Sequence, residues 1–289
     1  MTSLAVAIFL KAGLGLPVPA GQQPALTVPS AQQQSALVQT LYATGTKVER
    51  PRAVVWFDAK ISPAEQQRWG DLISKGVEDI ETFLGLSLGS VRLEYFVADG
   101  FGLTSLYSPG PTPYVLLPVD RVQRGAAPYL HETVHHLVFR YARNRTRPPV
   151  HTWILEGFPS YVEDAVAEQL GGTPGRVFTK GGNGGVDAEA QQALSSGLGR
   201  EIVEFIGRTG TPSNLDTDRE HVASRFYVMA QSFTKFLIET IGLQTFTRRI
   251  LPLLLNSEQL EAQIHLRTTK SLDALRREWL GRIESLNKQ

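Results

Sequence analysis

APYLHETVHHLVFRYAR, residues 127–143, is helical in its apolar period and carries the residues on which the reading of the whole chain turns. Residues four apart on a helix leave from the same face, so His131 and His135 can both direct an imidazole nitrogen at one ion. Glu132 lies about 100° round the helix from His131, which puts its carboxylate beside that ion, where it can take a proton from a bound water. His136, five residues from His131, points well away from the shared face and is not expected as a ligand. The competing reading is an amphipathic helix whose histidines pack against the core and hydrogen-bond to backbone.

Downstream, Pro148-Pro149 breaks the pattern and a second helix is predicted from about Trp153 to Leu170. Its first turns read Trp153-Ile154-Leu155-Glu156-Gly157-Phe158, with 20 residues between His135 and Glu156. Glu156 supplies the third protein ligand that a catalytic zinc requires, and the fourth position stays open for water.

With these two motifs in this order, the chain resembles the gluzincin metallopeptidases, the group that includes thermolysin-like and aminopeptidase N-like enzymes. The likeness spans about Tyr114 to Gly242. It implies a Zn2+ cofactor, a metal-ligand role for Glu156, a zincin-like fold and a peptide or protein substrate. It also carries to Tyr227, in Tyr227-Val228-Met229-Ala230, the role of a tyrosine that hydrogen-bonds the tetrahedral intermediate. Pro159 departs from the family pattern, standing where a small helix former is usual; deep in a helix it removes a hydrogen bond. No Gly-Ala-Met-Glu-Asn segment precedes the motif, so the aminopeptidases' grip on a free amino terminus is not inherited. The chain is also much shorter than those multidomain enzymes.

Three further polar residues are candidates. Glu163, two helical turns beyond Glu156, could orient a zinc-bound histidine, or could simply be solvated. His221 could donate to an oxyanion as in thermolysin-like enzymes, and His151 could touch substrate.

Composition narrows the alternatives. The chain of 289 residues has no cysteine, which excludes disulfides, thiolate catalysis and cysteine-ligated zinc, leaving His, Asp and Glu to hold any metal. Its 29 basic and 28 acidic side chains nearly cancel, without the basic footprint of a nucleic-acid binder. At the N-terminus, apolar Leu4–Leu10, Lys11, a second apolar stretch and Val18-Pro19-Ala20 look like an export signal without its basic front. That reading points to a secreted or periplasmic protein; a plain disordered tail is the other reading and leaves a cytoplasmic one. Neither apolar run approaches the roughly 20 residues of a membrane span.

Residues 1–45 are therefore expected to form a signal-like or disordered segment, with Gly21 to about Gly45 a linker or loosely attached leading helix. A catalytic domain is expected over 46–289, with an α/β lobe at 46–170 and a helical lobe at 171–289. Strands are predicted at Arg52–Phe57, Val91–Val97 and Tyr114–Leu117, and a helix from Ser62-Pro63 to about Leu84. Pro113 and Pro118 on both flanks predict that Tyr114–Leu117 is an edge strand, able to hold an extended peptide by β-addition. Gly171–Gly185 reads as a loop or hinge, Ala223–Ile241 as an amphipathic helix closed by Gly242, and Ser271–Leu286 as a charged terminal helix. Strands first and helices later make an α+β fold, a small mixed sheet with the active-site helix followed by a mostly helical lobe.

The function expected is hydrolysis of peptide bonds by metal-activated water with Glu132 as general base. A zincin scaffold serving as a binding or assembly module is the alternative, and hydrolysis of a non-peptide bond by the same chemistry is a third.

Overall fold

A computed structural model describes residues 8–10, 30–87, 89, 92–99, 105–108, 112–142, 150–169, 185–215 and 218–286. The architecture is α+β, with one mixed sheet and a majority of helix. Six strands, β1 (Ile8–Leu10), β2 (Thr46–Glu49), β3 (Ala53–Phe57), β4 (Leu93–Ala98), β5 (Ser105–Ser108) and β6 (Tyr114–Pro118), lie in the order β1-β5-β6-β4-β3-β2. The central strands β3, β4 and β6 run parallel, with Val55 opposite Tyr95 and Tyr95 opposite Val115; the other pairings are antiparallel.

Parallel neighbours need a long crossover, and between β3 and β4 it is α2 (Pro63–Leu84). Pro63 occupies its first turn, and the Ser62 hydroxyl accepts from the Glu65 N–H, as the sequence predicts. Trp69, Ile73, Val77, Ile80 and Leu84 bury along one side at helical spacing.

β6 is not an edge strand. It is hydrogen-bonded to β5 on one side and β4 on the other, so the expected peptide-holding edge at Tyr114–Leu117 is withdrawn. Pro113 lies outside the strand and Pro118 is its last residue, so neither removes a donor from the middle of the ladder. The unbroken apolar run, with Val115, Leu116 and Leu117 wholly buried, is what a central parallel strand requires.

Residues 31–44, expected at the end of a loose leader, form α1 (Ala31–Thr44). Ser30 and Gln33 cap it reciprocally, each side chain accepting from the other's backbone N–H. Val38 and Leu41 pack with Phe96, Ala98 and Leu116 of the sheet, which ties this helix into the fold. The signal-like residues 1–7 and 11–29 lie outside the described residues.

After the sheet come α3 (Val119–Gln123), α4 (Tyr129–Tyr141) and α5 (Thr152–Gln169). They are followed by α6 (Gly185–Ser195), α7 (Gly197–Ile202), α8 (Ser224–Ile241), α9 (Leu243–Thr245), α10 (Ser257–Thr268) and α11 (Leu272–Ser285). The chain divides into two compact units, Met1–Phe83 with Ser87–His136 and Val166–Val177, and Leu84–Leu86 with Leu137–Ala165 and Phe178–Gln289. Helices α4 and α5 each contribute residues to both units. The glycine-dense stretch 171–184 lies outside the described residues.

The first unit holds the sheet, and the second is helical around α8, whose C-terminus closes at Gly242 with φ of +88°. Asp187 of α6 accepts from the Ser232 hydroxyl of α8 (2.7 Å) and pairs with Lys235 and Arg282. Trp279 of α11 donates to Ser232 (2.9 Å), so one polar network joins three helices. Leu272, Leu275, Trp279 and Ile283 are buried together, the stripe predicted for the terminal helix. No helix among the described residues is long and apolar enough to cross a membrane.

Candidate metal centre

α4 places His131, Glu132 and His135 in full burial, with no exposed side-chain surface. The Nε2 atoms of His131 and His135 are 3.0 Å apart. Two nitrogens each about 2.0–2.1 Å from one zinc ion are separated by about 3 Å, so this spacing is compatible with a shared ion. His136, also buried, is not in this group.

Glu156, in the second turn of α5, brings a carboxylate oxygen to the pair: the three ligand atoms all lie within 4.8 Å of one another, and all three residues are buried. Two neutral imidazoles and a carboxylate are a donor set that suits zinc, and three protein ligands leave a coordination position open. Burying Glu132 and Glu156 as carboxylates is costly in a low-dielectric setting unless positive charge offsets them, which a divalent cation does. The residues present therefore fit the metal.

Local sequence explains how α5 is held. Gly157 follows the ligand directly, and a Cβ there would stand 2.3 Å from the Ala230 carbonyl oxygen and 2.5 Å from the Thr234 hydroxyl of α8. Only glycine permits that approach. The start of α5 is fastened by the Thr152–Thr211 hydroxyl contact (2.7 Å) and by the Gly210 N–H donating to the Val150 carbonyl (3.0 Å). Pro159 stands inside α5, and the helix continues past it to Gln169 without the hydrogen bond that its N–H would have made.

The other predicted residues fall differently. Glu163 is buried on α5. Tyr227 is buried on α8 with its ring edge-on to Phe226. His221 stands at the surface, 61% of its side chain exposed, with Nδ1 3.0 Å from Asp218, so the oxyanion role expected of it has no support. His151 is fully buried and cannot touch a substrate from solvent. Its Nδ1 accepts from the Trp153 indole (3.1 Å) and its Nε2 lies 2.9 Å from Glu261. Burial holds its pKa below the usual imidazole range, with Glu261 and the Arg208 backbone pulling the other way.

One residue at this helix was not found from sequence. Tyr95 of β4, buried beneath α4, meets the Thr133 hydroxyl at 2.6 Å. Burial is the main cause pushing the Tyr95 phenol above its ordinary pKa, and the Glu132 charge adds to it. A pairing across 38 residues, between a strand and a helix, leaves no periodic signature.

No protein-family model matches the sequence, and no curated protein does. Among solved structures, the chain is similar to an M1 zinc metallopeptidase from Deinococcus radiodurans at 14% identity and a TM-score of 0.45, over 81% of this chain and 50% of that one. It is also similar to yeast LTA4 hydrolase in complex with bestatin, at 13% identity and a TM-score of 0.41, over 84% of this chain and 37% of that one. The chain thus spans half or less of the length of these structures.

Proposed function

We propose that this chain is a zinc-dependent metallopeptidase, with His131, His135 and Glu156 holding the metal and Glu132 as general base. The observation that carries the reading is the gathering of those three ligand atoms within 4.8 Å, beside a buried Glu132 one residue from His131. A zinc ion bound there supplies a Lewis acid that acidifies water and polarises a carbonyl. Glu132 takes the proton from the attacking water and hands it to the leaving amine nitrogen, so one carboxylate serves both halves of the reaction. Tyr227 is assigned, from the resemblance, to hydrogen-bond the tetrahedral oxyanion, and Glu163 to orient a ligand imidazole.

The test is zinc analysis of the purified protein together with digestion of a peptide library with and without chelator. One zinc per chain and chelator-sensitive cleavage support the peptidase. Glu132→Gln should keep its zinc and lose about 10²- to 10⁴-fold in kcat, the usual weight of a general base. Zinc-loaded wild type that cleaves no peptide would favour the binding or assembly module.

A further inference from the structure

The face of α4 opposite the imidazoles meets β4 at Thr133 and α2 at Leu130, which lies against Gly76. With His131 at 0° and His135 at about 40° round the helix, Thr133 falls near 200° and Leu130 and Leu137 near 240–260°. Leu130 and Leu137 are wholly buried, and Thr133 is the polar residue among them. Apolar packing is non-directional, so leucines alone let a helix turn or slide by fractions of an ångström at little cost. A ligand constellation tolerates only about 0.5 Å.

At Thr133 the contact is directional. Its hydroxyl lies 2.6 Å from the Tyr129 carbonyl, one helical turn back, and 2.6 Å from the Tyr95 hydroxyl of β4. A threonine hydroxyl has one proton, and the carbonyl can only accept, so Thr133 donates to Tyr129 and accepts from Tyr95. The chain Tyr95 O–H to Thr133 O–H to Tyr129 C=O is therefore fixed in direction as well as length. Both side chains are wholly buried, and a hydrogen bond out of water's reach is expensive to leave unmade. Tyr95 itself stands at a central position of the sheet, in register with Val55 on β3 and Val115 on β6.

We propose that Tyr95 is a positioning residue: through Thr133 it fixes the rotation and axial register of α4 on the sheet, and so the aim of His131, Glu132 and His135. This rests on the metal-centre reading for its function, but the hydrogen-bonded residues Tyr95, Thr133 and Tyr129 all belong to the sheet-bearing unit. Tyr95→Phe keeps the ring and removes one oxygen; Thr133→Val keeps the shape of the side chain and removes the acceptor.

The experiment measures zinc dissociation of the full chain by competition with a chromogenic chelator, with kcat and KM on a peptide substrate and the urea midpoint recorded alongside. Each single variant should bind zinc about tenfold or more weakly, the usual effect of losing a group that orients a ligand. The fall in turnover should appear in kcat with KM unchanged, and the double variant should be no worse than the weaker single, because both changes cut one chain of hydrogen bonds. The metal-free protein supplies a readout that does not depend on zinc: in ¹⁵N-histidine spectra, the ring resonances of His131 and His135 should move in Tyr95→Phe while that of the exposed His265 on α10 stays in place. A variant that unfolds more easily yet leaves the two ring resonances unmoved, and zinc affinity within twofold of wild type, reduces Tyr95 to ordinary core packing and overturns the proposal. Should the wild type bind no zinc, the metal reading fails, and the ring resonances alone decide the positioning role.

Discussion

Glu132 and Glu156 are both carboxylates buried on helices, yet one is assigned to move protons and the other to hold the ion. The distinction is measurable. Glu156→Gln removes the anionic ligand and should weaken zinc retention by more than the roughly 10- to 100-fold that an outer hydrogen bond is worth, whereas Glu132→Gln should retain the metal through dialysis. Metal analysis after dialysis separates them, and equal zinc loss from both variants would contradict the assignment. His131, His135 and Glu156 were legible in the sequence because two follow from the helical period and the third from a short motif on the next helix. His151 and His221 carry no comparable signal, because a lone histidine has no period: its role depends on burial and partners that spacing does not encode. One proved fully buried against Trp153 and Glu261, the other exposed beside Asp218.

At the scale of elements, α5 concentrates the constraints. Gly157→Ala would push a methyl group to 2.3 Å from the Ala230 carbonyl oxygen, backbone that cannot swing aside. It should cost about 1–3 kcal/mol, read as a lower urea midpoint with unchanged slope. An unchanged midpoint would mean that α5 and α8 part easily. The start of the same helix should be acid-sensitive. The Trp153 indole donates to Nδ1 of His151, which leaves Nε2–H to face Glu261, so protonating Nδ1 removes the indole bond. Because the folded pKa lies below the ordinary 6.5, the stability that neutral His151 contributes is whole above 6.5 and is lost as pH falls through the lower folded value. Urea midpoints should therefore drop more steeply between pH 7 and pH 5 in wild type than in His151→Gln; parallel slopes would exclude the device. The elements themselves were mostly legible, since capping residues and periodicity are local signals: Ser62-Pro63 opens α2 and Gly242 closes α8. The order of strands was not. Prolines at both flanks of β6 look alike from sequence whether the strand lies at an edge or in the centre, and only its pairing with β4 and β5 decides.

For the whole molecule, metal binding and folding should be linked. The ligands sit on two successive helices, α4 and α5, and an unfolded chain does not hold them together. Free zinc at 100 times its Kd should raise stability by about 2.7 kcal/mol, so thermal unfolding should climb with zinc, fall back with chelator, and lose this dependence in Glu156→Ala. A melting temperature indifferent to zinc in the wild type would argue against a preformed site. A near-neutral chain, +1 at pH 7, leaves little overall charge to attract a cation, so affinity must come from the local donors. The most direct test of the central claim is a crystal structure of the zinc-loaded protein with anomalous scattering recorded at the zinc edge. One peak is expected, about 2.0–2.2 Å from Nε2 of His131, Nε2 of His135 and a carboxylate oxygen of Glu156. A peak elsewhere, or Glu156 turned away from the two imidazoles, would contradict it.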